Sequence, residues 1–332
     1  MGSEGWESLV PRLLSAAGLD PRAAFEVSPL TGGVSSDIVR IRLADGRDLC
    51  AKRALPQLKV AAHWSAPLER NRYEAAWLRL AGEIVPGAAP QVLAEERAQG
   101  AVLLEYFAAD AHLLWKDELL AGRVDPRIAI AVASVLGRIH AATLGNAAVA
   151  AAFPTDHLIE ALRLDPYLRH TASRHPDCAE AILEVLRATA TNKLALVHGD
   201  VSPKNILISK RDYHPILLDA ECAWYGDPAF DAAFCLNHLL LKSVHMPVLK
   251  DDLLNQAIAF AAEWLSHFPP ALRPALDGRA AALLPCLMLA RVDGKSPVEY
   301  LDEGSRQMVR TLSIPMIRRP LISIEAVIAA VA

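Results

Sequence analysis

The apolar residues of this chain change their spacing about a third of the way along, and this change restricts the fold more than any other feature. Before it, short apolar runs resemble strands, including two joined by the turn Asp45–Gly46 and a later run over 101–107. From about residue 110 onward, apolar positions mostly recur every three or four residues, as in helices, and Ile128 to Ile139 is one such stripe. We therefore predict an α+β chain with a small β-rich lobe, residues 1–107, and a larger helical lobe, residues 108–332.

The residues that could take part in catalysis or metal binding are concentrated in one segment, 196–233. An apolar run leads into a loop that carries Asp200 and, five positions later, Asn205; a second run ends at Asp219. A phosphoryl-transfer site needs one Asp to accept or orient a hydroxyl proton, and amide and carboxylate oxygens to hold Mg²⁺ on nucleotide phosphates. The segment does not supply the Cys or His set that zinc prefers. Its composition therefore favours phosphoryl transfer.

At this segment the chain resembles the aminoglycoside phosphotransferase and choline kinase family of small-molecule kinases. The resemblance extends over about residues 25–310 and rests on His198-Gly199-Asp200, Asn205, Asp219, Gly226-Asp227-Pro228 and Asp231. It implies a protein-kinase-like bilobal fold, with a small antiparallel sheet in the N-terminal lobe and a mostly helical C-terminal lobe. It also implies ATP or GTP as the phosphate donor, Mg²⁺, and a small hydroxylated molecule as the acceptor.

The resemblance implies a role for each polar residue of the segment. Asp200 would be the catalytic base, and Asn205 and Asp219 would be the Mg²⁺ ligands. His198 would brace the catalytic loop. Asp231 would be a buried carboxylate that ties this loop to the helix behind it.

By the same resemblance, the N-terminal lobe would bind the nucleotide through a lysine. Lys52, on the second strand of the hairpin, would contact the α- and β-phosphates. Its partner would be a glutamate on the first helix after it, which the sequence predicts near 67–81. Glu74 is the preferred partner, and Glu69 is the alternative.

Two further parts of the N-terminal lobe would complete the nucleotide site. A loop with Gly32, Gly33 and Ser35 stands where the family covers the phosphates, although it lacks a full G-x-G-x-x-G pattern. The backbone of Glu105 and Phe107, in a hinge at about 105–108, would bind the adenine.

The residues after Asp219 separate this chain from protein kinases. Protein kinases have D-F-G and a long activation segment here, whereas this chain reaches Gly226 only seven positions after Asp219. A peptide-binding segment does not fit, which disfavours a protein substrate. Glu221 is expected either to face the metals or to pair with a base, and Trp224 and Tyr225 are expected to line the substrate cavity.

A charged stretch, 291–296, interrupts an apolar helical run. Its simplest interpretation is a solvated turn; the alternative is that Arg291 or Lys295 points back at the substrate pocket. The stretch resembles an arginine segment of methylthioribose kinases, as does the sequence ECAWYG after the predicted metal ligand Asp219. The catalytic loop differs from that of methylthioribose kinases.

Charge and composition exclude several classes of partner. The net charge is −4 and no basic run is present, which disfavours binding to nucleic acid. The longest apolar runs, such as 280–290, are shorter than a membrane span. Five irregularly spaced Cys residues favour free thiols in the cytoplasm. The oligomeric state is left open.

The sequence indicates the type of reaction more clearly than it indicates the acceptor molecule. Residues 237–312 contain eight acids and eight bases, and this balance gives no support for a polycationic substrate such as an aminoglycoside. A neutral or mildly charged sugar, thiosugar or amino alcohol is favoured. A nucleotide-binding module without catalysis is the alternative function.

Overall fold

The computed structural model describes residues 5–30, 35–57 and 67–332, and its N-terminal part is a five-stranded antiparallel sheet. The strand order is β1-β2-β3-β5-β4. The strands are β1 (Phe25–Pro29), β2 (Ser36–Leu43), β3 (Asp48–Ala54), β4 (Val92–Glu96) and β5 (Ala101–Glu105).

The hairpin β2–β3 forms at the predicted Asp-Gly turn. Gly46 has a φ of 89°, a left-handed conformation that glycine adopts without steric cost. The Asp45 carboxylate accepts the Arg47 N–H at 3.0 Å, which closes the turn. The resulting register places Lys52 opposite Ile38 on β2 and Val102 on β5.

Two helices pack against this sheet. Helix α1 (Trp6–Ala16) buries Leu9 and Leu13 in a small core with Ile41 and Leu103. Helix α2 (Arg70–Ile84) runs from slightly after its predicted start to three residues beyond its predicted end. Its buried Trp77 belongs to the main core, which continues into the helical lobe.

The rest of the chain is mostly helical, as predicted from the apolar spacing. Its helices are α3 (Trp115–Leu120), α4 (Pro126–Thr143), α5 (Ala147–Ala152), α6 (Asp156–Ile159), α7 (His170–Arg174), α8 (Ala179–Thr191), α9 (Ala229–His245), α10 (Lys250–Ser266), α11 (Arg273–Asp293), α12 (Glu303–Arg318) and α13 (Ile324–Val331), with a π-helical segment at Glu160–Arg169. No helix in the described ranges is both long enough and apolar enough to cross a bilayer.

Five short strands in this lobe position the polar loops. They are β6 (His112–Leu114), β7 (Ala195–Val197), β8 (Ile206–Ser209), β9 (Pro215–Leu217) and β10 (Trp224–Gly226). Strands β6, β8 and β9 form one antiparallel sheet, and β7 pairs with β10. The predicted α+β fold, with a small antiparallel sheet followed by a mostly helical region, is confirmed by this architecture.

Candidate active site

The loop between β7 and β8 carries Asp200, which is only 3% exposed. Its Oδ2 accepts from Asn205 Nδ2 at 2.8 Å and lies 2.9 Å from Arg163 Nη2 and 3.5 Å from Lys204 Nζ. Its Oδ1 has no hydrogen-bond partner within the described parts of the chain. One carboxylate oxygen is therefore held in place and the other is available to a ligand.

A buried carboxylate on α9 fixes the start of this loop. Asp231, which is fully buried, accepts the N–H groups of His198 at 2.7 Å and Gly199 at 2.8 Å. The same carboxylate contacts His140 Nε2 at 3.1 Å, and His140 Nδ1 accepts the Trp264 indole N–H at 3.1 Å. Because Trp264 can only donate, His140 is a donor at Nε2, and every polar atom of this chain of bonds is satisfied.

His198 connects the loop to the strand that precedes Asp219. Its Nδ1 accepts the Asp200 N–H at 3.1 Å, so its Nε2 donates to the Leu218 carbonyl at 3.1 Å. Burial lowers the pKa of this imidazole, which favours the neutral tautomer that these two bonds require. His198 thus holds two polar segments in a fixed relation.

Lys52 lies between two carboxylates from different parts of the chain. Its Nζ is 2.7 Å from Glu74 Oε1 and also contacts Asp219 Oδ1. Burial lowers the Lys52 pKa, but Asp219 and Glu74 outweigh it and raise the pKa above its ordinary value, so the amine is charged. Glu69, the alternative partner, lies instead 2.7 Å from His157.

Some of these groups line one cleft between the sheet and the helical lobe, and Asp200 is not among its lining residues. Glu74 and Lys52 line it, together with Ser35, Glu105, Tyr106, Phe107, Lys204, Asn205 and Asp219. The Phe107 N–H has no acceptor among the residues that the structure describes, which leaves it free for a ligand. Gly32 and Gly33 lie outside the described residues.

The cleft contains oxygen donors suited to a hard cation. Asn205 uses its Nδ2 to bind Asp200, so its Oδ1 remains free to coordinate. The Asp219 carboxylate would supply the second oxygen ligand. The Asp219 backbone has a φ of 67°, a left-handed conformation that is uncommon outside glycine. No group of three or more His, Cys, Asp or Glu side chains that could hold a metal ion occurs within the described ranges. Two protein oxygens fit Mg²⁺, which is usually bound by one or two side chains together with substrate phosphates.

Glu221 pairs with a base, one of its two predicted roles. Its Oε2 lies 2.9 Å from Arg70 Nε, at the start of α2, where Arg70 is fully buried. The Arg70 guanidinium also donates to the carbonyls of Ser35 and Leu55, each at 2.7 Å. Through Arg70, Glu221 therefore holds the chain after Asp219 near Ser35 and Leu55, at the ends of strands β2 and β3.

Trp224 and Tyr225 do not line this cleft, contrary to the prediction. Both belong to β10, which pairs with β7, and their side chains are buried inside the helical lobe. The Trp224 indole donates to Asp156 at 2.7 Å, and the Tyr225 hydroxyl donates to the Leu194 carbonyl at 2.9 Å. Their closeness to Asp219 along the sequence was misleading, because the chain reverses direction between them.

Arg291 lines a second, smaller pocket, and Lys295 does not. Arg291 Nη1 binds Ser296 Oγ at 2.9 Å and the Tyr167 hydroxyl at 3.2 Å. Lys295 pairs with Asp165 at 2.8 Å, away from the pocket. Of the two basic residues considered for this segment, Arg291 is thus the one near the catalytic loop.

Sequence reasoning missed two buried arginines, Arg70 and Arg163. Arg163 is 7% exposed and also donates to the Gly199 carbonyl at 2.8 Å. Both arginines lie in helical patterns where charged residues are usually solvated. Arg163 stands between two leucines in the sequence, whereas Arg70 stands between Glu69 and Asn71. Neither pattern indicates a partner on a distant segment of the chain.

Comparison with known proteins identifies the family. The sequence model of the phosphotransferase enzyme family matches residues 26–268. A methylthioribose kinase from Yersinia enterocolitica is 26% identical over 257 residues, which cover 69% of this chain and 63% of that protein. The chain therefore spans less than two thirds of that relative's length.

Solved structures share the fold at low sequence identity. A choline kinase from Streptococcus pneumoniae has a TM-score of 0.54 at 13% identity, covering 94% of this chain and 98% of that one. An amicoumacin kinase, in complex with AMP-PNP and Ca²⁺, has a TM-score of 0.56 at 13% identity, covering 97% and 96%. These matches confirm the resemblance read from residues 196–233, and the chain belongs to the phosphotransferase enzyme family.

Proposed function

We propose that this protein transfers the γ-phosphoryl group of ATP to a hydroxyl of a small molecule. The observation that carries the proposal is the convergence of Lys52, Asn205 and Asp219 on one cleft, with Asp200 bonded to Asn205 at its edge. A lysine for phosphates, two oxygen ligands for Mg²⁺ and a carboxylate for a hydroxyl are the parts that phosphoryl transfer requires.

Each part of the cleft has an assigned role. The free N–H of Phe107 and the backbone of Glu105 bind the adenine, and Ser35 lies beside the phosphates. Lys52, oriented by Glu74, binds the α- and β-phosphates. Asn205 Oδ1 and the Asp219 carboxylate would hold Mg²⁺, which would supply positive charge against the phosphate oxygens.

Asp200 acts on the acceptor hydroxyl. Its free Oδ1 accepts the hydroxyl hydrogen bond, while Arg163 and Asn205 keep the carboxylate in one orientation. The hydroxyl oxygen forms a bond to the γ-phosphorus as the bond from that phosphorus to the β,γ-bridging oxygen breaks. The hydroxyl proton passes to Asp200, and ADP and the phosphorylated acceptor are released.

The names of the similar proteins support a small hydroxylated acceptor. The relative from Yersinia enterocolitica is a methylthioribose kinase, and one structural neighbour is a choline kinase. The neighbour that is bound to AMP-PNP supports an adenine nucleotide as the donor. A sugar, thiosugar or amino alcohol therefore remains the favoured acceptor class, with aminoglycosides as the alternative.

Replacing Asp200 with Asn tests the assignment. In Asp200→Asn, kcat should fall by about 10²- to 10⁴-fold because the general base is lost, while the Kd for Mg-ATP changes little. ADP release is measured with ribose, methylthioribose, choline, ethanolamine and kanamycin as acceptors. Asp212→Asn, in an exposed turn, is the control. Wild-type kcat in Asp200→Asn would contradict the role of Asp200.

A thermal-shift assay with Mg-ATP, run beside the ADP-release assay, separates catalysis from binding alone. If Mg-ATP stabilises the wild-type protein in a thermal-shift assay but no acceptor gives product, the chain is a nucleotide-binding module without activity. If Mg-ATP neither binds nor is consumed, the proposed function is wrong altogether.

A further inference from the structure

A second pocket adjoins the nucleotide cleft on the side of the helical lobe. It is lined by Lys116, Pro203, Lys204, His238, Lys242, Arg291, Val298, Glu299 and Tyr300. Lys204 lines both cavities, and its amine lies 3.5 Å from the Asp200 carboxylate. A molecule seated in this pocket would therefore lie next to the group that receives the hydroxyl proton.

The lining carries much more positive than negative charge. Four cationic side chains face one carboxylate, that of Glu299. Glu299 is engaged by Lys116 at 2.5 Å, and Lys204 is near Asp200. Lys242 and Arg291 are left without a carboxylate partner among the residues that the structure describes.

Several hydrogen-bond donors of this lining have no acceptor. Lys242 is 1% exposed, and its amine makes neither a hydrogen bond nor an ion pair with any described residue; the amine lies over the Tyr300 ring, 5.0 Å from its centre. Arg291 Nε and the Tyr300 hydroxyl are buried and are also unpaired within the described parts of the chain. Buried donors without acceptors are costly, so their convergence indicates an acceptor that the protein itself does not supply.

The groups whose charges shift the Lys242 pKa belong to this lining, except for Cys235 on the same helix. Burial, then the neighbouring Lys116 and Arg291, lower the Lys242 pKa to about 7, while Glu299 partly opposes them. His238, on the same helix, is also buried, and its pKa lies well below the ordinary value for that reason. An anion placed here would relieve the repulsion among these cations and restore the charge of the amine.

We propose that the acceptor carries an anionic group, a carboxylate or a phosphate ester, which binds Lys242 and Arg291 while its hydroxyl lies at Asp200. This inference rests on the proposed function and names its substrate class. It departs from the balanced charge count of residues 237–312, which favoured a neutral or mildly charged acceptor.

The first experiment measures anion binding without turnover. Inorganic phosphate is titrated by calorimetry into the wild-type protein, Lys242→Met and the control Arg187→Met, each with Mg-AMP-PNP present. Arg187→Met removes one positive charge from the exposed face of α8. Phosphate should bind the wild type and the control equally, and its Kd should rise about tenfold or more in Lys242→Met, the size expected for a lost charged hydrogen bond.

The stability of Lys242→Met distinguishes a ligand-binding residue from a structural one. Because the amine is buried without a partner, an apolar side chain of similar length should raise the Tm by a few degrees. A structural lysine would give a lower Tm instead. A higher Tm together with weaker phosphate binding supports the proposal; a lower Tm with unchanged phosphate binding overturns it.

The second experiment compares related acceptors with and without an anionic group. ADP release is measured for glycerol against glycerate and for ribose against ribose 5-phosphate. The anionic member of each pair should have a kcat/KM at least about tenfold higher, and Lys242→Met should remove this preference. Efficient turnover of the neutral members or of kanamycin, unchanged in Lys242→Met, would overturn the anionic-acceptor proposal while leaving the proposed function intact.

Discussion

Replacing Asp231 with Asn changes one oxygen of a buried carboxylate into an amide and tests whether this group holds the catalytic loop. Oδ2 serves the N–H of His198 and Nε2 of His140, whereas Oδ1 serves only the N–H of Gly199. The amide oxygen should therefore take the Oδ2 position, because it then keeps two donors. The amide nitrogen would face the Gly199 N–H, so two donors would point at each other.

The expected loss of stability in Asp231→Asn follows from this geometry. One buried N–H loses its acceptor, which costs about 1–3 kcal/mol, and two bonds to a charged acceptor become bonds to a neutral one, at about 1 kcal/mol each. The free energy of unfolding of Asp231→Asn should fall by about 3–5 kcal/mol, a large share of the 5–15 kcal/mol typical of folded proteins.

Urea denaturation measures this loss. The midpoint should fall while the slope stays the same, because the surface exposed on unfolding does not change. Asp302→Asn is the matched control: Asp302 caps α12 from an exposed position through the Ser305 N–H, and an amide oxygen can do the same. A loss below about 1 kcal/mol in Asp231→Asn would refute the reasoning that this carboxylate fixes the loop.

Two further predictions concern the loop and the basic pocket. Gly199→Ala should lower the free energy of unfolding by about 2 kcal/mol or more and should lower kcat, because Gly199 has a φ of 79° and a Cβ there would lie 2.6 Å from the Cys222 carbonyl oxygen. Gly145→Ala is the control: Gly145 has a φ of 66° but open space around it, so the loss should be only about 1 kcal/mol. If the two variants are equally stable in urea, the close contact is not what requires glycine. The KM for an anionic acceptor should rise as the pH passes upward through about 7, because the Lys242 amine then loses its proton. A wild-type KM that does not change with pH, as expected for Lys242→Met, would contradict this.

The sequence predicts best what depends on neighbouring residues. The Asp45–Gly46 turn follows from local preferences, and the hairpin that it closes places Lys52 on its second strand. The loop with Asp200 and Asn205 follows from an apolar run that ends in polar residues, and Asn205 indeed binds Asp200 five positions away. Helix α1 was not predicted, although its leucines pack on the sheet.

Contacts between segments that are far apart in the sequence were not predicted. Trp224 follows Asp219 by five positions, yet β10 pairs with β7 and carries the indole to Asp156. Arg70 meets Glu221 across 151 positions. No spacing rule connects such residues, because the path of the chain between them decides which side chains meet.

The charge of the second pocket shows why composition does not reveal substrate preference. Residues 237–312 have equal numbers of acids and bases, but folding uses them unequally: Asp293 lies 2.9 Å from both Arg310 and His175. Several of these acids form such pairs at the surface and between helices, whereas the Lys242 amine, on buried α9, has no carboxylate partner among the described residues. A neutral count can therefore conceal a strongly basic cavity, and the groups that select a ligand are those whose charges the fold leaves unpaired.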